Sequence, residues 1–333
     1  MPPFTDTDPH AFRRKTVLTI LLPFLYVTIL IFRWLPIRVV RQFARFSGKQ
    51  FYRFAENSRE RALANLKMIY GDKTTEKERV DFAKAVFIEV IMSFFDYIAY
   101  SNITNPDKYF SFIEVIGEAH LKQAYERRKG VICLIPHVSS WEFAAITPPM
   151  LGYETSAASK SMKLDALEHL MVKMRGKRGM KNITREGSYA KLVDVLKKGE
   201  CLILMIDQDT KVKSAFVDFM GRQAYTPLGA SRLALDTEAA IVPMTMTRKE
   251  DGNYRFLIYP ELPIIRTGNM AVDLLENTQI QTKKLEEIIL EYSSQWVWMH
   301  RRWKTTPEKL MAYNEAKKEV KDTKDVKGVN DTK

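Results

Sequence analysis

From about residue 111 onward, short apolar runs alternate with longer polar-apolar stretches, and this alternation restricts the fold more than any other feature of the chain. The apolar runs are Phe112–Ile116, Val131–Ile135, Cys201–Ile206, Ala240–Met246 and Arg255–Tyr259. Helical segments separate most of them, including Asp165–Arg175 and Ser188–Lys198. Such an order predicts an α/β domain with one central sheet. Further helices are expected at Thr75–Tyr100, which is rich in Phe near Phe94-Phe95-Asp96, and at Thr278–Gln295. No internal repeat is present, and 333 residues suffice for a sizeable core.

The N-terminal part has a different character. Thr16 to Phe32 (TVLTILLPFLYVTILIF) carries no charge and lies between Arg13-Arg14-Lys15 and Arg33-Trp34. A spanning helix needs roughly 20 apolar residues. Trp34, Leu35 and Ile37 extend the run towards that length if Arg33 snorkels. No small-residue cleavage site follows, so an uncleaved anchor within residues 1–35 is expected, with a buried or interfacial helix as the alternative. Of the net charge of +12, a net +7 lies within residues 1–61, around this segment. That placement favours an anionic membrane surface over nucleic acid, and the larger cluster after the run places the main domain in the cytoplasm. Next, Val39, Val40, Phe43, Phe46, Phe51 and Phe54 interleave with Arg38, Arg41, Arg45, Lys49 and Arg53. The pattern fits a basic amphipathic helix on a bilayer, or equally a surface helix packing its aromatic face on the domain. Residues 36–312 are read as the main domain and 313–333 as a charged, disordered tail. Cys133 and Cys201 both lie in strand-like runs, as small buried hydrophobes rather than a disulfide or metal pair.

Four clusters can carry chemistry. Pro136-His137-Val-Ser-Ser-Trp141-Glu142 follows the strand-like run at Val131 and supplies a base and an acid at a strand end. Residues five apart on one helix lie roughly 140° apart, so the two can meet only if His137 precedes the helix and Glu142 opens it. Ser139 or Ser140 is then the N-cap. Taken alone, the pair fits a structural histidine bonding a backbone carbonyl better than a base. Asp207-Gln208-Asp209 follows the run at Cys201 and suits a turn, binding of a hydroxylated headgroup or the positioning of a basic residue; it lacks a third metal ligand. Arg175, Lys177, Arg178, Lys181 and Arg185 form either a solvated face or a phosphate clamp. Finally, three Trp fall within Trp296–Trp303 beside Arg301 and Arg302, matching core packing, a membrane interface or contact with a phosphate-bearing ligand.

In collinear order the chain carries Ser58-Arg-Glu-Arg-Ala-Leu-Ala-Asn65-Leu66, Phe94-Phe95-Asp96, Val115-Ile-Gly117-Glu-Ala-His120-Leu and Gly130-Val-Ile-Cys-Leu-Ile-Pro-His137-Val-Ser-Ser-Trp141-Glu142. Leu196-Lys-Lys-Gly199-Glu200, Asp207-Gln208-Asp209, Phe219-Met-Gly221-Arg-Gln-Ala224-Tyr-Thr226-Pro227-Leu-Gly229, Ala240-Ile-Val-Pro243 and Gln295-Trp-Val-Trp298-Met-His300-Arg301-Arg302-Trp-Lys304 follow. Over roughly residues 15–305 this series resembles the bacterial lipid A late acyltransferases (lauroyl and myristoyl transferases) of the lysophospholipid acyltransferase superfamily. The resemblance implies a glycerol-3-phosphate acyltransferase-like single domain, with a central mixed sheet flanked by helices. It implies acyl transfer from an acyl-carrier-protein or coenzyme A thioester to a hydroxyl of a membrane lipid, without acyl-enzyme and without metal or redox cofactor. His137 is then the general base and Glu142 its orienting partner. Arg175, Asp207, Gln208, Asp209, Lys160 and Trp141 are the substrate-binding candidates. The implied location is the bacterial inner membrane, with the catalytic domain facing the cytoplasm. Pro136-His137-Val138-Ser139-Ser140 and the Lys160 in Ala157-Ala-Ser-Lys160 depart from the usual family residues, which leaves the acceptor open between a lipid A precursor and another glycolipid or lysophospholipid.

Overall fold

The computed structural model describes residue 27 and residues 29–159, 165–184 and 188–312, with the side chains of 165–167 excepted. Lys160, Arg185, most of the expected anchor and the tail 313–333 lie outside the described residues.

Seven strands build one mixed sheet: β1 (Ile113–Ile116), β2 (Val131–Leu134), β3 (Thr155–Ser159), β4 (Met180–Thr184), β5 (Cys201–Leu204), β8 (Ala240–Arg248) and β9 (Tyr254–Ile258). Their order is β1-β9-β8-β2-β5-β3-β4. Only β8 and β9 run antiparallel; every other neighbouring pair is parallel. The expected mixed sheet flanked by helices is therefore what forms. Strand residues alternate between its faces. Ile132, Leu134 and Leu202 enter one core with Trp296, Trp298 and Ile288, whereas Val131, Cys133, Cys201 and Val242 enter the other with Phe143 and Tyr254. Being covered on both faces explains why β2 is apolar at every position. Cys133 and Cys201 are free and buried, as expected of small hydrophobes.

The helices α1 (Ile37–Phe54), α2 (Glu56–Tyr70), α3 (Glu76–Ala99) and the short α4 (Pro106–Phe110) precede the sheet, and α5 (Glu118–Glu126) joins β1 to β2. A capping box between Thr75 and Glu78 starts α3. The helix α1 lies along α3 through a stripe of Val40, Ala44 and Gly48. A Cβ on Gly48 would stand 2.7 Å from the Ile88 Cα, so the two backbones approach closely there. Of the aromatic face, Phe51 reaches Phe87 and Phe43 reaches Phe95, while Phe46 and Phe54 remain 60% and 75% exposed. Part of this aromatic face therefore packs on the domain, as one of the two readings expects, and part of it stays exposed. Among the described residues no helix is long and apolar enough to cross a membrane.

Other differences have local causes. The strands β3 (TSAAS) and β4 (MKNIT) lack a continuous apolar run, and β4 coincides with the basic stretch around Lys181. The antiparallel hairpin β6 (Ser214–Phe219) and β7 (Arg222–Pro227) escaped the alternation pattern because it forms a separate two-stranded sheet. The last long helix is Met270–Glu291, capped by Asn269, rather than Thr278–Gln295. Ser293–Gln295 forms a 3-10 turn.

Candidate active site

The strands β2 and β5 are parallel neighbours in the register Val131↔Cys201 to Leu134↔Leu204. Ile135 N–H continues the ladder to the Leu204 carbonyl at 3.0 Å. His137 and Asp207 are each the third residue past their strand, so the register sets them side by side. His137 Nδ1 lies 2.7 Å from Asp207 Oδ1, and the His137 backbone N–H donates to Oδ2 at 2.8 Å. Trp296 Nε1 donates to the same Oδ2 at 2.9 Å. With an ionised acid as its partner, Nδ1 carries the proton, and Nε2 keeps the lone pair a general base needs. Burial alone would raise the Asp207 carboxyl. The His137 ring and the bonds from His137 and Trp296 overturn this and hold it far below the usual carboxylate range.

This geometry corrects the expected dyad. Glu142 does open the helix α6 (Trp141–Met150), as required. Its carboxylate, however, receives Arg175 Nε at 2.9 Å and Nη2 at 2.6 Å. Arg175 comes from the end of α7 (Asp165–Gly176), and the planar fork matches the carboxylate in bidentate fashion. Burial would lower the Arg175 pKa, but Glu142 outweighs it and the net direction is up. Asp207 thus orients His137, and Glu142 anchors Arg175. Ser140 occupies the N-cap position of α6 but makes no side-chain cap bond.

Two further expectations change. Asp207 is 2% exposed and fully engaged, which removes it from substrate binding. Asp209 instead accepts Thr305 N–H at 2.9 Å and pairs with Lys304 at 3.3 Å, fastening the C-terminal segment. The Trp-rich motif is interior packing rather than a membrane interface. Trp296 and Trp298 are buried, Asn65 Nδ2 donates to the carbonyls of Trp298 and His300, and Arg302 Nη2 reaches Thr226 Oγ1 at 2.6 Å.

A cavity of about 840 Å³ opens beside the pair. His137, Trp141, Glu142, Arg175, Gln208 and Lys213 line its polar part, and Ala145, Met180, Leu192, Ile203, Ala230 and Leu233 its apolar part. Of the expected binding residues, Trp141, Arg175 and Gln208 are therefore gathered at one cavity. The Trp141 ring lies 5.4 Å from that of His137. The size suits an elongated apolar ligand with a polar end, within the roughly 300–1,000 Å³ typical of ligand sites.

His300, which is not among the expected site residues, also stands at the site. Its ring is 5.5 Å from His137, and its Nε2 lies 3.3 Å from Gln208 Nε2, while Nδ1 is shut from solvent without a partner. Burial, assisted by the neighbouring His137, pushes its pKa down to about 4. The unfolded chain therefore binds one more proton than the folded chain between about pH 6.5 and 4. Stability from this group is complete above that window and falls as pH drops through it. Denaturant titrations at pH 7 and pH 5 are expected to differ by about 2 kcal/mol through this residue. His300→Gln should remove that difference, and an unchanged pH slope would refute the assignment.

The family model described as bacterial lipid A biosynthesis acyltransferase matches residues 10–305. Among curated proteins, the chain is 24% identical to a lipid A biosynthesis acyltransferase of Haemophilus influenzae, over 74% of this chain and 75% of that one. It is 29% identical to a lipid A biosynthesis palmitoleoyltransferase of Escherichia coli, over 59% and 63% of the two chains. A phosphatidylinositol mannoside acyltransferase of Mycolicibacterium smegmatis is 24% identical, over 57% of this chain and 62% of its own length. The similarity thus spans somewhat less than two thirds of the latter two relatives.

Proposed function

The chain belongs to the bacterial lipid A biosynthesis acyltransferase family, and from that premise we propose that it moves a fatty acyl chain from a thioester to a hydroxyl of a lipid A precursor. The observation that carries this reading is the His137–Asp207 pair at the polar part of an otherwise apolar cavity. The acceptor oxygen attacks the thioester carbonyl carbon while His137 Nε2 takes its proton. Asp207 stabilises the imidazolium through Nδ1–H. That attack forms the C–O bond and a tetrahedral oxyanion; its collapse re-forms the ester carbonyl, breaks the C–S bond, and returns the proton from Nε2 to the departing thiolate. Electrons balance without a metal or redox cofactor. The donor is an acyl-carrier-protein or coenzyme A thioester, with its chain along Ala145, Leu192, Ile203 and Leu233, and the acceptor meets Trp141, Arg175 and Gln208. Lys160, between the cavity residue Ser159 and α7, remains a candidate for the acceptor headgroup.

Membrane attachment at the bacterial inner membrane, with the domain in the cytoplasm, belongs to the same reading. The uncharged run Thr16–Phe32 and the exposed Phe46 and Phe54 beside Arg45 and Arg53 support it. The likeness to phosphatidylinositol mannoside acyltransferases favours one second reading, in which the acceptor is another glycolipid.

Purified protein incubated with acyl thioesters and a panel of lipid acceptors, with products weighed by mass spectrometry, tests the proposal. One added acyl chain on a lipid A precursor is the expected product. Transfer solely to a mannosylated lipid keeps the reaction and replaces the acceptor. No transfer to any acceptor overturns the enzymatic reading in favour of a lipid-binding scaffold.

A further inference from the structure

The loop that carries His137 is held in an unusual conformation by a buried charged ring that the chemistry does not use. Ser139 has φ 45°, a left-handed geometry uncommon for a residue with a Cβ. Such a backbone persists only where its surroundings over-determine it. Ser139 N–H donates to the Gln295 carbonyl at 2.8 Å, and Ser139 Oγ donates to Glu89 Oε1 at 2.8 Å. Glu89 in turn accepts Arg248 Nε at 3.0 and 2.8 Å. Arg248 closes the ring, its backbone N–H donating to Gln295 Oε1 at 2.8 Å while Gln295 Nε2 donates to the Arg248 carbonyl at 3.1 Å. Behind it the fully buried Asp96 accepts Arg248 Nη1 at 2.5 Å, Arg41 Nε at 3.2 Å and Tyr254 OH at 2.9 Å. Two carboxylates thus balance two guanidinium groups in the interior.

A buried ion pair is a weak source of stability, because desolvation offsets the attraction; what a satisfied network secures is geometry. We propose that Glu89 is a positioning residue for the acyl transfer, clamping Ser139 through its Oγ so that the loop presents His137 Nε2 to the cavity. The proposal rests on the acyltransferase reading for its kinetic consequence but not for its structural one. Among the described residues no hydrogen bond joins Glu89 to His137 itself; Glu89 acts through the backbone of residues 137–139. The simpler alternative is that the network merely docks α3 against β8. In that case the bond into the loop is dispensable.

Ser139→Ala separates the two, since it deletes that bond and leaves Glu89, Arg248 and Asp96 paired. Misplacing a catalytic group by about 1 Å costs around 100-fold. The kcat of Ser139→Ala is accordingly expected to fall about 10- to 100-fold, with KM for the thioester within about twofold of the parent. Ser139→Gly relieves the left-handed backbone and also lacks the hydroxyl; it should melt no lower than the parent and be as slow as the alanine variant. Glu89→Gln, which keeps an acceptor for Ser139, should retain more activity than Glu89→Leu. The proton on His137 Nδ1, identified among the five histidines by its loss in His137→Gln, reports the loop without any substrate. It should broaden or shift in both Ser139 variants. Either Ser139 variant turning over within about twofold of the parent overturns the proposal, as does an unchanged His137 resonance. If the parent transfers no acyl group, the acyltransferase reading fails, and the resonance alone decides the clamp.

Discussion

Replacing His137 by alanine is expected to lower the rate of acyl transfer about 100- to 10,000-fold while the protein still folds. The rate falls because Nε2 is the one base that Asp207 orients at the cavity. The fold should survive because two of the three donors to Asp207 remain, the backbone N–H of residue 137 and Trp296 Nε1. Side-chain exposure of His137 is 17%, so truncation removes little core. Turnover with a thioester and the lipid acceptor, measured beside a thermal melt, checks both halves. Activity within about tenfold of the parent in a folded variant would remove His137 as the base.

Asp207→Asn should cost about as much, near 10,000-fold by analogy with the same change in a His-Asp pair elsewhere. The cause is the tautomer. The Oδ2 position receives two donors, His137 N–H and Trp296 Nε1–H, so the amide oxygen of asparagine must take that place. Its NH2 then faces His137 Nδ1 and forces that nitrogen to accept. The proton moves to Nε2, and the base is lost although every heavy atom stays put. Nitrogen chemical shifts of the imidazole would show the exchange directly; a variant still protonated on Nδ1 and fully active would sink the argument. The substitution also removes an acid-stability term. The folded-state pKa of Asp207 lies below its unfolded value near 3.8, so the parent holds this contribution in full above that value. The parent loses it as pH falls towards the folded-state pKa. The asparagine variant should therefore start less stable at neutral pH and show a shallower loss in acid.

Much of the site was legible before the fold was. His137 and Asp207 each end a strand-like run, and Trp141, Arg175 and Gln208 were all singled out and meet at one cavity. Nearness in sequence points to Glu142 as the partner of His137, whereas the contact in the fold spans 70 positions. One signal could have exposed it. If β2 and β5 are parallel and start at Val131 and Cys201, then His137 and Asp207 share the same offset. Nothing of that kind marks Glu89 or His300, which reach the site only through the packing of α3 and of the C-terminal turn.

Apolar patterning and local motifs in the chain determined the α/β class, the places of the central strands, the buried cysteines and a histidine just past a strand end. These depend on neighbours within one turn or one strand, where side-chain type and spacing act directly. Tertiary structure alone decided which acid orients His137, that Glu142 serves Arg175, and that a buried ring holds Ser139 in a left-handed turn. Such choices follow from strand register and from the competition of several donors for one carboxylate. Both quantities exist only once distant segments have come within about 3 Å of one another.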